Sequence, residues 1–142
     1  MIGWKWLNRA VLIAIHDDQL AEHGGGTGIR DEALFDSALS RPLNLALYGD
    51  HDVASLAAAY GFGLSKNHAF VDGNKRIALI SMQLFLEIND WHLTATDDEC
   101  VSAMIGVAAG EIPEVDLAKW VREHILQPEG NRSKEFVRPK LN

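Results

Sequence analysis

The stretch "NKRIALISMQLFLEIN", residues 74–89, constrains the fold of this chain more than any other. Between Ile77 and Ile88 only Ser81, Gln83 and Glu87 are polar. Sixteen residues without a breaker favour a helix, although "IALI" alone would also suit a strand. A helix apolar on almost every side belongs in the middle of a domain, with other helices packed around it. The expected fold is therefore all-α, a compact single-domain bundle around a central buried helix near 74–89.

The flanking segments supply the partners. Asn8 is the expected N-cap of a helix over 9–23, which "GGGTG" (24–28) ends. "RDEALFDSAL" (30–39) reads as a second helix, broken by Pro42 after Arg41. A third spans 51–67, where Gly61 and Gly63 either weaken it or mark close helix packing. Thr96 caps a helix whose first turn holds Asp97, Asp98 and Glu99 and which Gly110 ends. Pro113 helps to start a last helix near 115–126. The candidate strands are short, around "WKW" (4–6) and "WHLTA" (91–95). Residues 1–126 form the expected domain, and the polar, proline-containing tail 127–142 is expected to be mobile.

A length of 142 residues suits one core. The formal net charge of −7 gives no general attraction to nucleic acid or anionic membrane, so neither is an expected partner. One cysteine, Cys100, permits no internal disulfide. It is expected to be simply buried. "AVLIAI" (10–15) is too short for a signal or a membrane span, so a cytoplasmic location is expected.

The start of the central helix poses a question. Lys75 and Arg76 stand where the unpaired N–H groups and the positive end of the dipole disfavour cations, by roughly 0.3–1 kcal/mol each. A phosphate would reverse that penalty. The free N–H groups of Gly73, Asn74 and Lys75 can converge on an oxyanion, and Gly73 lets the backbone approach it. Lys75 and Arg76 add charge, and Arg76 can grip phosphate in a bidentate way. Asp72 beside a polyphosphate suits Mg²⁺, which takes one or two carboxylates plus phosphate oxygens. His68 is the side chain suited to taking a proton from an attacking hydroxyl. Phe70, between them, reads as an anchor onto the core. The set matches phosphoryl or nucleotidyl transfer.

Singly, each of these residues has an ordinary explanation: a helix cap, a packed histidine, a solvated cationic face. Their density within nine residues is what makes the stretch a candidate site. Elsewhere the signals are poor. "GGGTG" lacks the ending of a P-loop, the six histidines show no zinc spacing, and Ser65 and Ser81 lack a nucleophile elbow.

"HAFVDGNKR" (68–76) resembles the Fic/Doc signature HxFx(D/E)GN(G/K)R and meets every defined position. "IHDDQLAEHGGGTGIRDEALFDSALSRP" (15–42), "FLEINDWHL" (85–93) and "GVAAGEI" (106–112) are similar to Doc (death-on-curing) toxins, so the resemblance covers roughly residues 8–126. It implies a bundle of about six helices. It also implies His68 as general base, Asp72 as the Mg²⁺ ligand, and Gly73, Asn74, Lys75 and Arg76 as the phosphate site for ATP. AMP-transferring Fic enzymes usually have Gly where this chain has Lys75. Doc toxins carry the lysine, and there the resemblance implies an inverted ATP that donates its γ-phosphate. The implied activity is a protein kinase acting on a threonine of elongation factor Tu and arresting translation. The implied partner is a Phd-like antitoxin. Gly73, where Doc can have Ala, is the one departure toward the AMP-transferring members. AMP transfer is thus the alternative, with an idle binding module or a ribonuclease toxin further away.

Overall fold

The computed structural model describes residues 3–128. Six helices follow in order: α1 (Arg9–His23), α2 (Glu32–Leu47), α3 (Val53–Asn67), α4 (Asn74–Ile88), α5 (Asp97–Ala108) and α6 (Glu114–Glu123). Two short strands, β1 (His92–Leu93) and β2 (Ile125–Leu126), pair antiparallel. The expected all-α bundle is what forms.

Local chemistry sets most of the boundaries. The Asn8 side chain accepts the N–H groups of Ala10 and Val11, and Gly24 at φ 80° ends α1. Thr96 and Glu99 form a reciprocal capping box at the head of α5. Asp52 caps α3 through the Ser55 N–H.

The centre of the bundle is α3 rather than α4. Eleven of its fifteen residues are buried, and it packs against α2, α4, α5 and α6. Its small residues explain this, because Ala54, Ala57, Ala58, Ala59, Gly61 and Gly63 let neighbours approach from several sides. A Cβ at Gly61 would lie 2.4 Å from the Met82 sulfur of α4, so that glycine does mark close packing. Helix α4 buries Ile77, Ala78, Ser81, Met82, Phe85 and Leu86, but Ile80, Leu84 and Ile88 are only half-buried.

Pro42 does not break α2, which runs on to Leu47. Phe35, Ala38 and Pro42 share its buried face at helical spacing, so burial of the ring offsets the missing hydrogen bond, a penalty of about 3 kcal/mol. Helix α6 stops at Glu123, and Ile125–Leu126 pair with β1 instead of extending it. "WKW" is not a strand. The Asn89 side chain holds the Lys5 N–H and C=O at 2.9 Å each, which places Trp4 and Trp6 against Phe85. Cys100 is buried, and burial, ahead of the Asp97 and Glu99 carboxylates, pushes its thiol up. Among the described residues no helix is long and apolar enough to cross a membrane. The expected mobile tail lies outside the described residues from 129 onward.

Candidate active site at the start of the fourth helix

Residues 68–73 join the hub helix α3 to α4, and most backbone polar groups of this loop are hydrogen-bonded. His68 is the C-cap of α3 at φ 49°, a left-handed conformation that costs a non-glycine residue roughly 1 kcal/mol. Arg30 donates Nε at 3.0 Å, and Nη2 as well, to the His68 carbonyl. The Ala69 carbonyl accepts the N–H groups of Arg30 and Asp31 at 2.7 and 3.0 Å. Val71 donates its N–H to the Gly28 carbonyl at 3.1 Å, beside an isolated bridge between Ile29 and Phe70. The Asp72 carbonyl accepts Nε2–H of His16 at 2.7 Å. Such a loop is held in one shape before any ligand arrives.

Phe70 is the expected anchor. It is buried, stacks on His16 at 3.8 Å and meets Phe35 edge-on at 5.0 Å. With Phe70 pointing inward, the side chains of His68, Val71 and Asp72 are exposed on the outside of the loop.

One detail of the helix start departs from its sequence-based reading and a second adds to it. First, the Gly73 N–H is not free, because it donates to Asp72 Oδ1 at 2.8 Å. Second, the Asn74 side chain is fully used inside the protein. Its Oδ1 accepts the Phe70 N–H and its Nδ2 donates to the Phe70 carbonyl, both at 3.0 Å. Any phosphate contact by Asn74 must come from its backbone. Gly73 adopts φ 77°, a left-handed conformation that glycine takes without strain. No side chain caps α4 and no acid lies in its first turn. Lys75 and Arg76 are exposed, and among the described residues neither has an ion-pair partner. The uncompensated cations at the positive end of a helix are thus a feature of the fold as well as of the sequence.

The structure brings His68, Asp72, Gly73, Asn74, Lys75 and Arg76 together on one loop and one helix turn. Three further residues that the sequence did not single out also shape this site. Gly25, at φ 125°, leaves room for the Asp72 carboxylate, since a Cβ there would lie 2.8 Å from Oδ2. "GGGTG" is therefore part of the site's wall as well as a helix stop. Arg30 holds His68, and no local pattern announces it. His16 holds Asp72, and its signal was available: Leu12, His16 and Leu20 are the buried stripe of α1, with a polar residue in the middle.

The donor set fits a magnesium ion. Among the described residues no three His, Cys, Asp or Glu side chains cluster to cage a metal. A lone exposed carboxylate beside an uncapped helix start and two exposed cations instead suits an ion shared between one protein ligand and substrate phosphates. A cleft of about 410 Å³ between α2 and α3 reaches Asn67, next to His68, but includes none of the loop's outward side chains. The loop itself faces solvent, where a hydroxyl on a protein surface can approach it.

The Fic/DOC family model matches residues 6–86, more than half of the chain. The chain belongs to the Fic/DOC family. It is similar to "Protein kinase doc" of Escherichia phage P1, with 31% identity over 112 residues, 78% of this chain and 88% of that protein. It is also similar to "Toxin Doc" of Mycolicibacterium smegmatis, with 42% identity over 78 residues, 53% of this chain and 59% of that one. The resemblance read from "HAFVDGNKR" and its flanks is thereby borne out at the level of the family.

Proposed function

We propose that this Fic/DOC protein is a Doc-type toxin that transfers the γ-phosphate of ATP to a hydroxyl of a protein target. The observation that supports this reading best is the pair Lys75 and Arg76, without an ion-pair partner among the described residues, at an uncapped helix start beside exposed Asp72. A relative named as a kinase over most of its length agrees with it.

In the proposed reaction His68 takes the proton of the target hydroxyl, and the freed oxygen attacks the γ-phosphorus. The new O–P bond forms as the bond to the β-phosphate oxygen breaks, and ADP leaves. Lys75, Arg76 and the backbone N–H groups of Asn74 and Lys75 hold the charge that spreads over the phosphoryl oxygens. Asp72 would hold Mg²⁺, which offsets phosphate charge when bound. A threonine of elongation factor Tu is the proposed acceptor, with arrest of translation as the consequence, and a Phd-like antitoxin is the proposed inhibitor.

AMP transfer by the same residues is the second reading, and Gly73 was its support. Because φ 77° favours glycine at that position whichever phosphate is transferred, Gly73 weighs little between the two readings. Incubating the chain with elongation factor Tu and Mg²⁺–ATP labelled at either the α- or the γ-position separates the two. Label from the γ-position, absent with His68→Ala, is expected. Label from the α-position would establish AMP transfer, and label that persists in His68→Ala would remove the mechanism.

A further inference from the structure

Buried polar side chains normally have their hydrogen bonds satisfied. His16 is 1% exposed and only half satisfied. A carbonyl can only accept, so Nε2 carries the proton that meets the Asp72 carbonyl at 2.7 Å. Nδ1 has no hydrogen-bond partner among the described residues. An unmet buried polar atom costs about 1–3 kcal/mol, and an apolar residue between Leu12 and Leu20 would avoid that only by leaving the Asp72 carbonyl without its donor. Filling the space between Leu12 and Leu20 would not by itself call for a histidine here.

The ring's surroundings suggest a different reason. It stacks on Phe70 with centroids 3.8 Å apart and planes 23° apart. Its Nε2 lies 3.4 Å from where a Cβ on Gly73 would sit. It thus lies under Phe70 and under both residues of the Asp72–Gly73 peptide. That peptide is held at two ends: its C=O by His16, and its N–H by Oδ1 of the Asp72 carboxylate itself at 2.8 Å. The two groups of a trans peptide point in opposite directions in one plane. A turn of the plane that releases the carbonyl therefore also moves the N–H to which the carboxylate is fastened.

We infer that His16 is a positioning residue, which through the Asp72–Gly73 peptide sets the direction of the Asp72 carboxylate and of the first turn of α4. The inference rests on the proposed function in so far as Asp72 is taken to hold Mg²⁺. The link from ring to peptide to carboxylate is there whatever the site binds.

The test compares the full chain with His16→Phe, which keeps an aromatic ring on Phe70 but has no donor, and His16→Gln, which keeps a donor at similar reach. Three properties are read: thermal unfolding, exchange of the Gly73 amide by NMR, and affinity for a non-hydrolysable ATP analogue with and without Mg²⁺. In His16→Phe the Gly73 amide is expected to exchange roughly tenfold faster, and the gain in affinity due to Mg²⁺ to fall roughly tenfold, as for lost outer-shell partners of metal ligands. Melting should not fall in proportion, and His16→Gln should restore most of both effects. If His16→Phe does not fold, His16→Met takes its place as a flexible apolar chain. An unchanged amide and an unchanged Mg²⁺ effect in the apolar variant would overturn the inference. So would equal losses in the apolar and Gln variants that simply follow stability. If the unaltered chain shows no Mg²⁺-dependent binding, the proposed function fails instead. The Gly73 amide then decides the inference alone: faster exchange restored by Gln supports it, and no change overturns it.

Discussion

Replacing Asn74 with alanine tests what holds the loop and what meets the phosphate. The side chain makes two hydrogen bonds of 3.0 Å, to the N–H and the C=O of Phe70. Alanine leaves both backbone groups unpaired, and each such group costs about 1–3 kcal/mol when water stays out. The bonds are only part-buried, so water can answer some of the loss and the low end applies. The sum is about 2 kcal/mol. For a domain of this size that corresponds to a fall in Tm of roughly 5–10 °C. Urea unfolding of the Asn74→Ala chain should show the loss as a lower midpoint with an unchanged slope. Nucleotide binding should weaken only as far as the loop loosens. An unaltered midpoint together with abolished ATP binding would refute the reasoning, because it would place the side chain on the phosphate rather than on Phe70.

Gly61→Ala puts a Cβ 2.4 Å from the Met82 sulfur in a fully buried contact, and should cost about 1–3 kcal/mol in chemical unfolding. Part of it should return when Met82→Ala is added, and a neutral single variant would contradict the close α3–α4 packing. The Arg122 guanidinium, bonded at 2.6 and 3.0 Å and helped by the Ser55 N–H, holds the Asp52 carboxyl down to about 2 from an ordinary 3.8. The folded value is the lower one, so this stability is present above the unfolded value and is lost as pH falls from 3.8 toward 2. The pair is half exposed, so screening reduces its worth at neutral pH to about 0.5–1 kcal/mol. Asp52→Asn, which keeps the helix cap, should be less stable by that amount near neutrality, and the gap should close by about pH 2. A gap that survives acidification would mean the charge pair is not its source.

Much of this architecture can be read from residues that act locally. Asn8, Thr96 and Gly24 start or stop helices through bonds to their own neighbours, so sequence alone places those boundaries. Pro42 was misleading because its fate depends on α3, to which Phe35 and Ala38 press the same face. Weight given to large apolar residues put the centre at α4, whereas enclosure on several sides requires small ones, as α3 shows. The motif itself was legible because its density is unusual: His68, Asp72, Lys75 and Arg76 stand on the loop and helix turn where they were expected. The internal partners were harder to read. The Asn74 side chain turned back to Phe70, Arg30 reached the carbonyl of residue 68, and His16 came from another helix. The Arg30 contact follows from no spacing along the chain, whereas Asn74 reaches back only four residues and His16 lies in the buried stripe of α1.

The central claim is that the cations at the head of α4 serve transfer of a terminal phosphate. Intact-mass spectrometry of elongation factor Tu, after incubation with the chain, ATP and Mg²⁺, measures this directly. The account predicts a gain of one phosphoryl group, dependent on His68 and lost with Arg76→Ala. A gain of an adenylyl group, or a target left unmodified by an otherwise folded and ATP-binding chain, would contradict it.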